Sequence, residues 1–215
     1  MNQVLLSRLN LLLLGVLALV TIGGYALIPP GTQLPVHWGI SGQPDSFLPR
    51  EQALLIMPLL IAVVGLIFWG VGRFSPPAQL EASRFAWRTV VPSVFGLFLV
   101  IQTCIVLIGM GYPDVTVRLI CGSLGVMLVL LGNIMPKTQP NGLAGIRLPW
   151  LQDPAVWRKT QRLGGLLFVA GGLILMVASL LLVEATLLLA VIGIALIFPL
   201  AVTTIYSYRL AHRQS

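Results

Sequence analysis

The sequence is poor in charged residues. Only 9% of its 215 residues are Asp, Glu, Lys or Arg, whereas 57% are hydrophobic, and an ordinary soluble domain has about a quarter charged residues. A soluble core cannot remove that much apolar surface from water. A bilayer can, provided that the apolar residues come in runs of about 20, because a helix of that length crosses about 30 Å of hydrocarbon. The composition therefore predicts an integral membrane protein.

Groups that bind metals or carry out acid–base chemistry are also scarce. The chain has 6 acidic residues, 2 histidines and 2 cysteines, and it lacks the Gly-x-Ser-x-Gly, His-Glu-x-x-His and phosphate-loop motifs. We therefore expect no catalytic residue, no metal site and no cofactor. Cys104 and Cys121 lie at similar distances on either side of one predicted turn. A disulfide between them and two separate buried thiols both stay open.

Long hydrophobic runs are what the sequence has in abundance, and they predict an all-α membrane protein built as a bundle of six transmembrane helices. Most runs are separated by clusters rich in proline and glycine. Only Glu184 and the nearby Thr186 separate the last two, so we expect a tight hairpin there. A secretory signal is the alternative for the first run, but a signal has a shorter apolar region and a small-residue cleavage site. The runs free of acidic, basic and histidine residues are 9–28, 53–72, 89–110, 119–135, 163–183 and 185–208.

The basic residues predict the orientation. The chain has 13 Lys and Arg, and a cytoplasmic N-terminus leaves only Arg50 and Arg118 outside, which is a strong positive-inside bias. Both termini are thus expected inside, and the net charge of +7 needs no nucleic-acid partner. We divide the single membrane domain into residues 1–72 with an outer segment at 29–50, residues 73–135, and residues 136–215. The basic residues expected inside are Arg8, Arg73, Arg84, Arg88, Lys137, Arg147, Arg158, Lys159, Arg162, Arg209 and Arg213.

None of the six runs carries an ionisable residue in its central turns. This argues against an ion-coupled transporter, because such a carrier needs a group at the midplane to receive its ion. Polar residues within the runs are expected to join helices, and small residues on one helix face are expected to form packing seams. The polar residues are Asn10, Gln102, Thr103, Ser123 and Asn133, and the glycines are Gly122, Gly125, Gly132, Gly164, Gly165, Gly171 and Gly172.

The outer segment 29–50 is rich in proline and glycine, which favours an ordered set of turns. Two interpretations stay open. In the first, Trp38 and Phe47 anchor at the headgroup level, His37 hydrogen-bonds the loop backbone and Asp45 closes an Asx-turn. In the second, His37, Trp38 and Asp45 form a recognition surface, since loops on a rigid scaffold commonly carry binding.

The inner segment 133–162 contains a helix start, in which Asp153 is the N-cap and Pro154 the first helical residue. We expect a short helix that directs Trp157 toward the bilayer, with its basic residues facing water or lipid phosphate. Either an interfacial helix or a docking surface for a cytoplasmic partner fits this pattern. The basic residues are Arg158, Lys159 and Arg162.

At these two segments the sequence resembles the SdpI family of bacterial immunity proteins. The outer motif is matched by Leu34-Pro35, His37-Trp38, Gly42 and Pro44-Asp45. The inner motif is matched by Gly132-Asn133, Pro136-Lys137, Asn141, Gly145-Ile146-Arg147, Pro149-Trp150, Trp157 and Lys159-Thr160. The sequence departs from the family pattern at Leu148, where threonine is usual, at Gln161, where histidine is expected, and at Arg50, where a lysine closes the outer motif.

The resemblance implies a multi-pass protein of the bacterial plasma membrane that protects its own cell against a secreted, membrane-active peptide toxin. In one branch of the family the toxin-bound protein also holds a transcriptional repressor at the membrane. Membrane lipids are further expected partners. A transporter or flippase of an amphiphilic compound, and a membrane enzyme using His37 and Asp45, are the alternatives.

The residues that we expect to function fall into two sets. The toxin-binding set in the outer segment is His37, Trp38, Gly42, Pro44 and Asp45. The inner signature set is Asn133, Pro136, Lys137, Asn141, Gly145, Arg147, Pro149, Trp150, Trp157, Arg158, Lys159, Thr160, Gln161 and Arg162.

Overall fold

A computed structural model describes residues 2–39, 43–140 and 143–212, so the predicted site residues Gly42 and Asn141 and the basic Arg213 lie outside the described residues. Within the described part, six helices are long and apolar enough to cross a membrane, which confirms the predicted all-α, multi-span class. In chain order the elements are α1 (Asn2–Leu5), α2 (Arg8–Leu27), β1 (Gln33–Trp38), β2 (Pro44–Pro49), α3 (Arg50–Phe74), α4 (Pro77–Gly109), α5 (Thr116–Ile134), a 3₁₀ turn (Met135–Lys137), α6 (Pro154–Leu181) and α7 (Ala185–His212).

Several helix ends follow from local sequence. The Ser7 hydroxyl accepts from the Asn10 N–H at the start of α2, and the Asp153 carboxylate accepts from the backbone at the start of α6. Proline occupies the first position of both α4 and α6, where its missing N–H has no intrahelical partner to lose. The last hairpin is tight, because α6 ends at Leu181 and α7 begins at Ala185, directly after Glu184.

Two helices begin more than two turns before the apolar runs that predicted them. α4 begins at Pro77 and has 33 residues, so it is about 50 Å long and its first three turns extend beyond about 30 Å of hydrocarbon. α6 begins at Pro154 and continues unbroken to Leu181. The prediction of a separate short helix after Asp153 is therefore wrong, since nothing in 154–162 interrupts the helical hydrogen bonds.

The two ends of the bundle differ. We call one the hairpin end, where α2, α4 and α6 end and the β-hairpin lies, and the other the loop end, where α2 begins and residues 138–153 connect the 3₁₀ turn to α6. The predicted orientation, with both termini in the cytoplasm, puts the hairpin end outside the cell. This orientation stays a prediction.

The buried core has two large parts and a smaller third part at the start of α6. One joins α2, α3 and α4 with β1 and includes Leu17, Leu54, Val91 and Leu34. The other large part joins α5, α6 and α7. Gln102 ties the first part together, because its amide donates to the Thr21 hydroxyl of α2 and to the Leu54 carbonyl of α3, both at 3.0 Å.

The predicted glycine seams lie within the molecule. A Cβ on Gly125 would lie 2.7 Å from the Gly172 carbonyl oxygen, and one on Gly165 would lie 2.5 Å from the Gly132 carbonyl oxygen. α5 and α6 thus touch backbone to backbone at two levels, seven residues apart on each helix. Gly171 instead faces Ala195 of α7, so neighbouring glycines on α6 serve two different partners.

Candidate functional site

The outer segment forms an antiparallel β-hairpin of β1 and β2, where we expected a set of turns. Its prolines fit because a two-stranded sheet has only edge strands, whose outward positions need no N–H donor. The pairing is irregular between Pro35 and His37 and again between His37 and Trp38, as in a β-bulge. Such irregularities re-aim side chains at the edge of a sheet, and here they fall at the predicted recognition residues.

The hairpin is seated on the helices by one apolar side chain. Leu34 is completely buried and lies beside Ile28 at the end of α2 and Gly109 at the end of α4. A Cβ on Gly109 would lie 3.0 Å from the Leu34 side chain. Glycine at that position therefore makes the socket for the hairpin. Val36 and Leu48 add partly buried contacts with the same core.

Arg50 fastens the base of the hairpin to α2. Its guanidinium donates to the Tyr25 and Ile28 carbonyls at the C-terminus of that helix and pairs with Glu51 at 2.8 Å. The Tyr25 hydroxyl donates to the Glu51 carbonyl at 2.7 Å, and the guanidinium lies over the Tyr25 ring. A planar fork with five donors can make these contacts together, whereas a lysine ammonium cannot. The arginine that stands here in place of the family's lysine therefore joins the hairpin to α2.

His37 and Asp45 meet at the exposed side of the hairpin. The imidazole Nδ1 lies 2.6 Å from Asp45 Oδ1, and the two side chains are 68% and 50% exposed. A Cβ on Gly39 would lie 3.0 Å from the other carboxylate oxygen, so Gly39 leaves room for Asp45. In the described part of the loop, His37 bonds the Asp45 carboxylate, whereas the first interpretation expected it to bond the loop backbone. The pair joins the end of β1 to β2.

Two other side chains complete the exposed surface of the hairpin. Trp38 is half-buried opposite Pro44, and Phe47 is 51% exposed opposite Pro35. We call the outward surface of His37, Trp38, Asp45 and Phe47 the hairpin face. It combines one carboxylate with two aromatic rings, a combination that suits a cationic amphiphile.

At the loop end, the prediction that Trp157 points toward the bilayer is wrong. It is 98% buried, and its indole N–H donates to the Thr138 carbonyl at 3.1 Å. The reason is that the first turns of α6 pack inside the bundle, where an indole N–H needs a partner. Trp157 therefore holds the start of the inner loop against α6.

Gln161, one turn further along α6, holds the middle of that loop. It is fully buried, and its amide pairs with both backbone groups of Ile146: the Ile146 N–H donates to Oε1 at 3.0 Å and Nε2 donates to the Ile146 carbonyl at 2.7 Å. The adjacent Gly145 has φ +95°, and a Cβ there would lie 2.9 Å from Gln161 Oε1. Glycine is thus required both by the turn and by the close amide.

Trp150 joins the end of the loop to α7. Its indole N–H donates to the Ser207 hydroxyl at 3.0 Å, and its ring meets Tyr208 edge-on with centroids 5.4 Å apart. Sequence reasoning missed Thr138, Ile146 and Ser207 as partners. The spacing of Trp157 and Gln161, four residues apart on one helix face, was the available signal.

The remaining inner residues divide by exposure. Thr160 is completely buried, and its hydroxyl has no partner in the described part of the chain. Lys137 lies over the Phe85 ring at 5.3 Å. Asn133, expected to join helices, is exposed. The other exposed residues of the set are Pro136, Lys137, Gly145, Arg147, Pro149, Arg158, Lys159 and Arg162.

Among the described residues, no group of three or more His, Cys, Asp or Glu side chains is placed to hold an ion. Cys104 and Cys121 are both free and buried, and the Cys104 thiol lies 3.8 Å from the Thr116 carbonyl.

The chain has six apolar helices, a β-hairpin packed on one end of the bundle, and a loop (138–153) bonded to α6 and α7 at the other end. These features define a multi-span membrane protein. The SdpI/YfhL protein family model matches residues 137–207, and a domain of unknown function, DUF1648, matches residues 12–62. The first match contains most of the inner loop with α6, and the second contains the hairpin. The predicted resemblance to the SdpI family is thereby confirmed.

A curated relative is the immunity protein SdpI of Bacillus subtilis strain 168. This chain is 25% identical to it over 139 residues, which is 64% of this chain and 64% of that protein. The match thus spans somewhat less than two thirds of the relative's length. No solved structure matches the chain.

Proposed function

We propose that this protein protects the cell that makes it against a secreted, membrane-active peptide toxin, and that it meets the toxin at the hairpin face. The similarity to an immunity protein supports the class of function. The observation that carries the site is the hairpin itself, a prearranged surface seated on the ends of α2, α3 and α4.

The physical case is that the base of the hairpin is held by the helices while the side chains of the hairpin face stay exposed. Leu34 is buried and Arg50 is only 12% exposed, so both sides of the hairpin base are fixed. His37 and Asp45 remain in solvent. A surface that is already ordered loses little conformational entropy on binding, which favours recognition there.

The contributions should differ between side chains. An exposed ion pair is worth at most about 1 kcal/mol, so Asp45→Asn should weaken protection only partly. Burial of an indole against an amphiphile is worth more, so Trp38→Ala should nearly abolish protection. Because His37 and Asp45 are paired, the double variant His37→Ala/Asp45→Asn should lose less than the sum of the two single losses.

The experiment is survival of a toxin-sensitive strain that expresses each variant, challenged with the cognate toxin at equal membrane levels of the protein. Tyr112→Ala is the matched control, because Tyr112 is a 60% exposed aromatic residue in the α4–α5 turn at the same end of the bundle. Full protection by Trp38→Ala would refute the hairpin face as the site. Equal loss in Tyr112→Ala would show a general effect of exposed aromatic residues.

A signalling role is the second part of the proposal, and the exposed basic residues at the start of α6 support it. Arg158, Lys159 and Arg162 lie on the outside of the helix whose inner face holds the loop. If a repressor docks there, neutralising all three with glutamine should abolish toxin-induced transcription and leave protection intact. Loss of protection at normal membrane levels would contradict this separation.

A further inference from the structure

A cavity of about 470 Å³ lies at the loop end, away from both signature segments. It opens between α1, the end of α3 and the start of α4, and three arginines line it. Arg73 comes from the last turn of α3, and Arg84 and Arg88 come from one face of α4, four residues apart. None of these side chains belongs to the hairpin face or to the loop at 138–153.

The cavity lies at the level of lipid phosphates. Arg88 is 21 residues from the hairpin end of α4 at Gly109, which is about 32 Å along the helix, and Trp69 is 19 residues from Arg50, about 28 Å along α3. The hydrocarbon layer is about 30 Å thick. Both residues therefore reach the boundary of the hydrocarbon, and Trp69, which is 47% exposed, is of the type enriched there.

The positive charge of the cavity is only partly balanced. Glu81 lies 3.6 Å from Arg84, with the two side chains 74% and 45% exposed, and Gln3 accepts from Arg84 at 3.4 Å. Within the described part of the chain, no carboxylate lies within ion-pair distance of Arg73 or Arg88. The cavity thus has two arginines in excess.

The wall beside the arginines is apolar. Trp69 and Leu80 line it, and Val4 from α1 closes one side. A free inorganic anion would use only the arginines, whereas a lipid would also cover these apolar groups. The combination of guanidinium groups, apolar wall and depth therefore favours a lipid over a soluble phosphate.

We propose that this cavity binds the phosphodiester headgroup of an anionic glycerophospholipid. The phosphate is held by Arg73, Arg84 and Arg88, whose guanidinium groups match phosphate oxygens, and the glycerol region lies on Trp69 and Leu80. Basic pockets between transmembrane helices at the membrane surface bind anionic headgroups in this manner.

The test is a native mass spectrometry titration of the purified full chain with phosphatidylglycerol and, separately, phosphatidylcholine. We expect a clear preference for phosphatidylglycerol. Each of Arg73→Gln, Arg84→Gln and Arg88→Gln should weaken its binding about five-fold, from about 1 kcal/mol per basic residue at a membrane surface. The control Arg209→Gln removes an exposed charge at the same end of the bundle but outside the cavity, and it should bind as wild type.

A second variant tests the site by gain of binding. Glu81→Gln removes the carboxylate that competes for Arg84, so it should bind phosphatidylglycerol more tightly, which a damaged fold cannot imitate. The proposal is overturned if Glu81→Gln binds no better than wild type, or if the arginine variants match Arg209→Gln. A thermal-stability arm with inorganic phosphate separates the sources: stabilisation by phosphate equal to that by the lipid would make the site one for a free anion.

Discussion

The two hydrogen bonds between Gln161 and Ile146 give the sharpest structural prediction. Gln161→Leu keeps the size of the side chain and deletes both of its hydrogen bonds, leaving the Ile146 N–H and carbonyl unpaired. A buried backbone group without a partner costs about 1–3 kcal/mol. Because Ile146 is only half-buried, we take about 1–2 kcal/mol for each of its two backbone groups and expect a total loss of about 2–4 kcal/mol.

Gln152→Leu is the matched control, since Gln152 lies in the same loop, is exposed, and makes one bond to the Pro149 carbonyl. We expect it to change stability by less than about 0.5 kcal/mol. Gln161→His, which restores the residue that the family resemblance implies, should fall between the two. One ring nitrogen can keep one of the two bonds.

The assay is thermal unfolding of the purified chain in detergent, together with trypsin cleavage after the exposed Arg147. Release of the loop in Gln161→Leu should lower the midpoint temperature and speed cleavage at that site. If Gln161→Leu and Gln152→Leu behave alike in both measurements, the amide does not hold the loop and the reasoning fails.

Three further predictions concern the orientation of the chain, the packing of α5 against α6, and the independence of protection from the proton gradient. In a cysteine-free background, a cysteine at Gln43 should label from outside the cell and one at Glu81, which is 74% exposed, should not. External labelling at position 81 would refute the orientation. Gly165→Ala should lower stability by at least about 1 kcal/mol because its Cβ meets the Gly132 carbonyl, whereas Gly193→Ala, with nothing within 4 Å, should not. Collapse of the proton gradient should leave protection intact, and its loss with the protein still in the membrane would favour an exporter.

Only part of the candidate site could be predicted from sequence. The outer motif was located, and His37, Trp38 and Asp45 do lie on one hairpin, but the pairing of His37 with Asp45 depends on the register of two strands. Proline-rich segments usually form turns, and here the strands arise because Leu34 has a socket between helices. One side of that socket is Gly109, about 75 positions further along the chain, which no local pattern reveals.

At the loop end, sequence patterns misplaced Trp157 for a related reason. An aromatic residue beside Arg158 and Lys159 is typical of an interfacial helix. The indole turns inward instead because the Thr138 carbonyl needs a donor and the packed start of α6 provides one. Side-chain direction on a helix is decided by what the neighbouring elements present, and those elements come from other parts of the sequence.

The sequence by itself determined the six spans, because a run of about 20 apolar residues has no other stable environment than a bilayer or a large core. It also determined the glycine spacing that lets two helices touch, though not which helices. Tertiary structure decided what the two arginines at the hairpin end do: Arg50 caps α2, and Arg118 donates to the Ser179 and Leu180 carbonyls at the end of α6. The positive-inside rule counts both arginines only as exceptions. The structure gives them a role, because a helix C-terminus has unpaired carbonyls that a nearby guanidinium can satisfy.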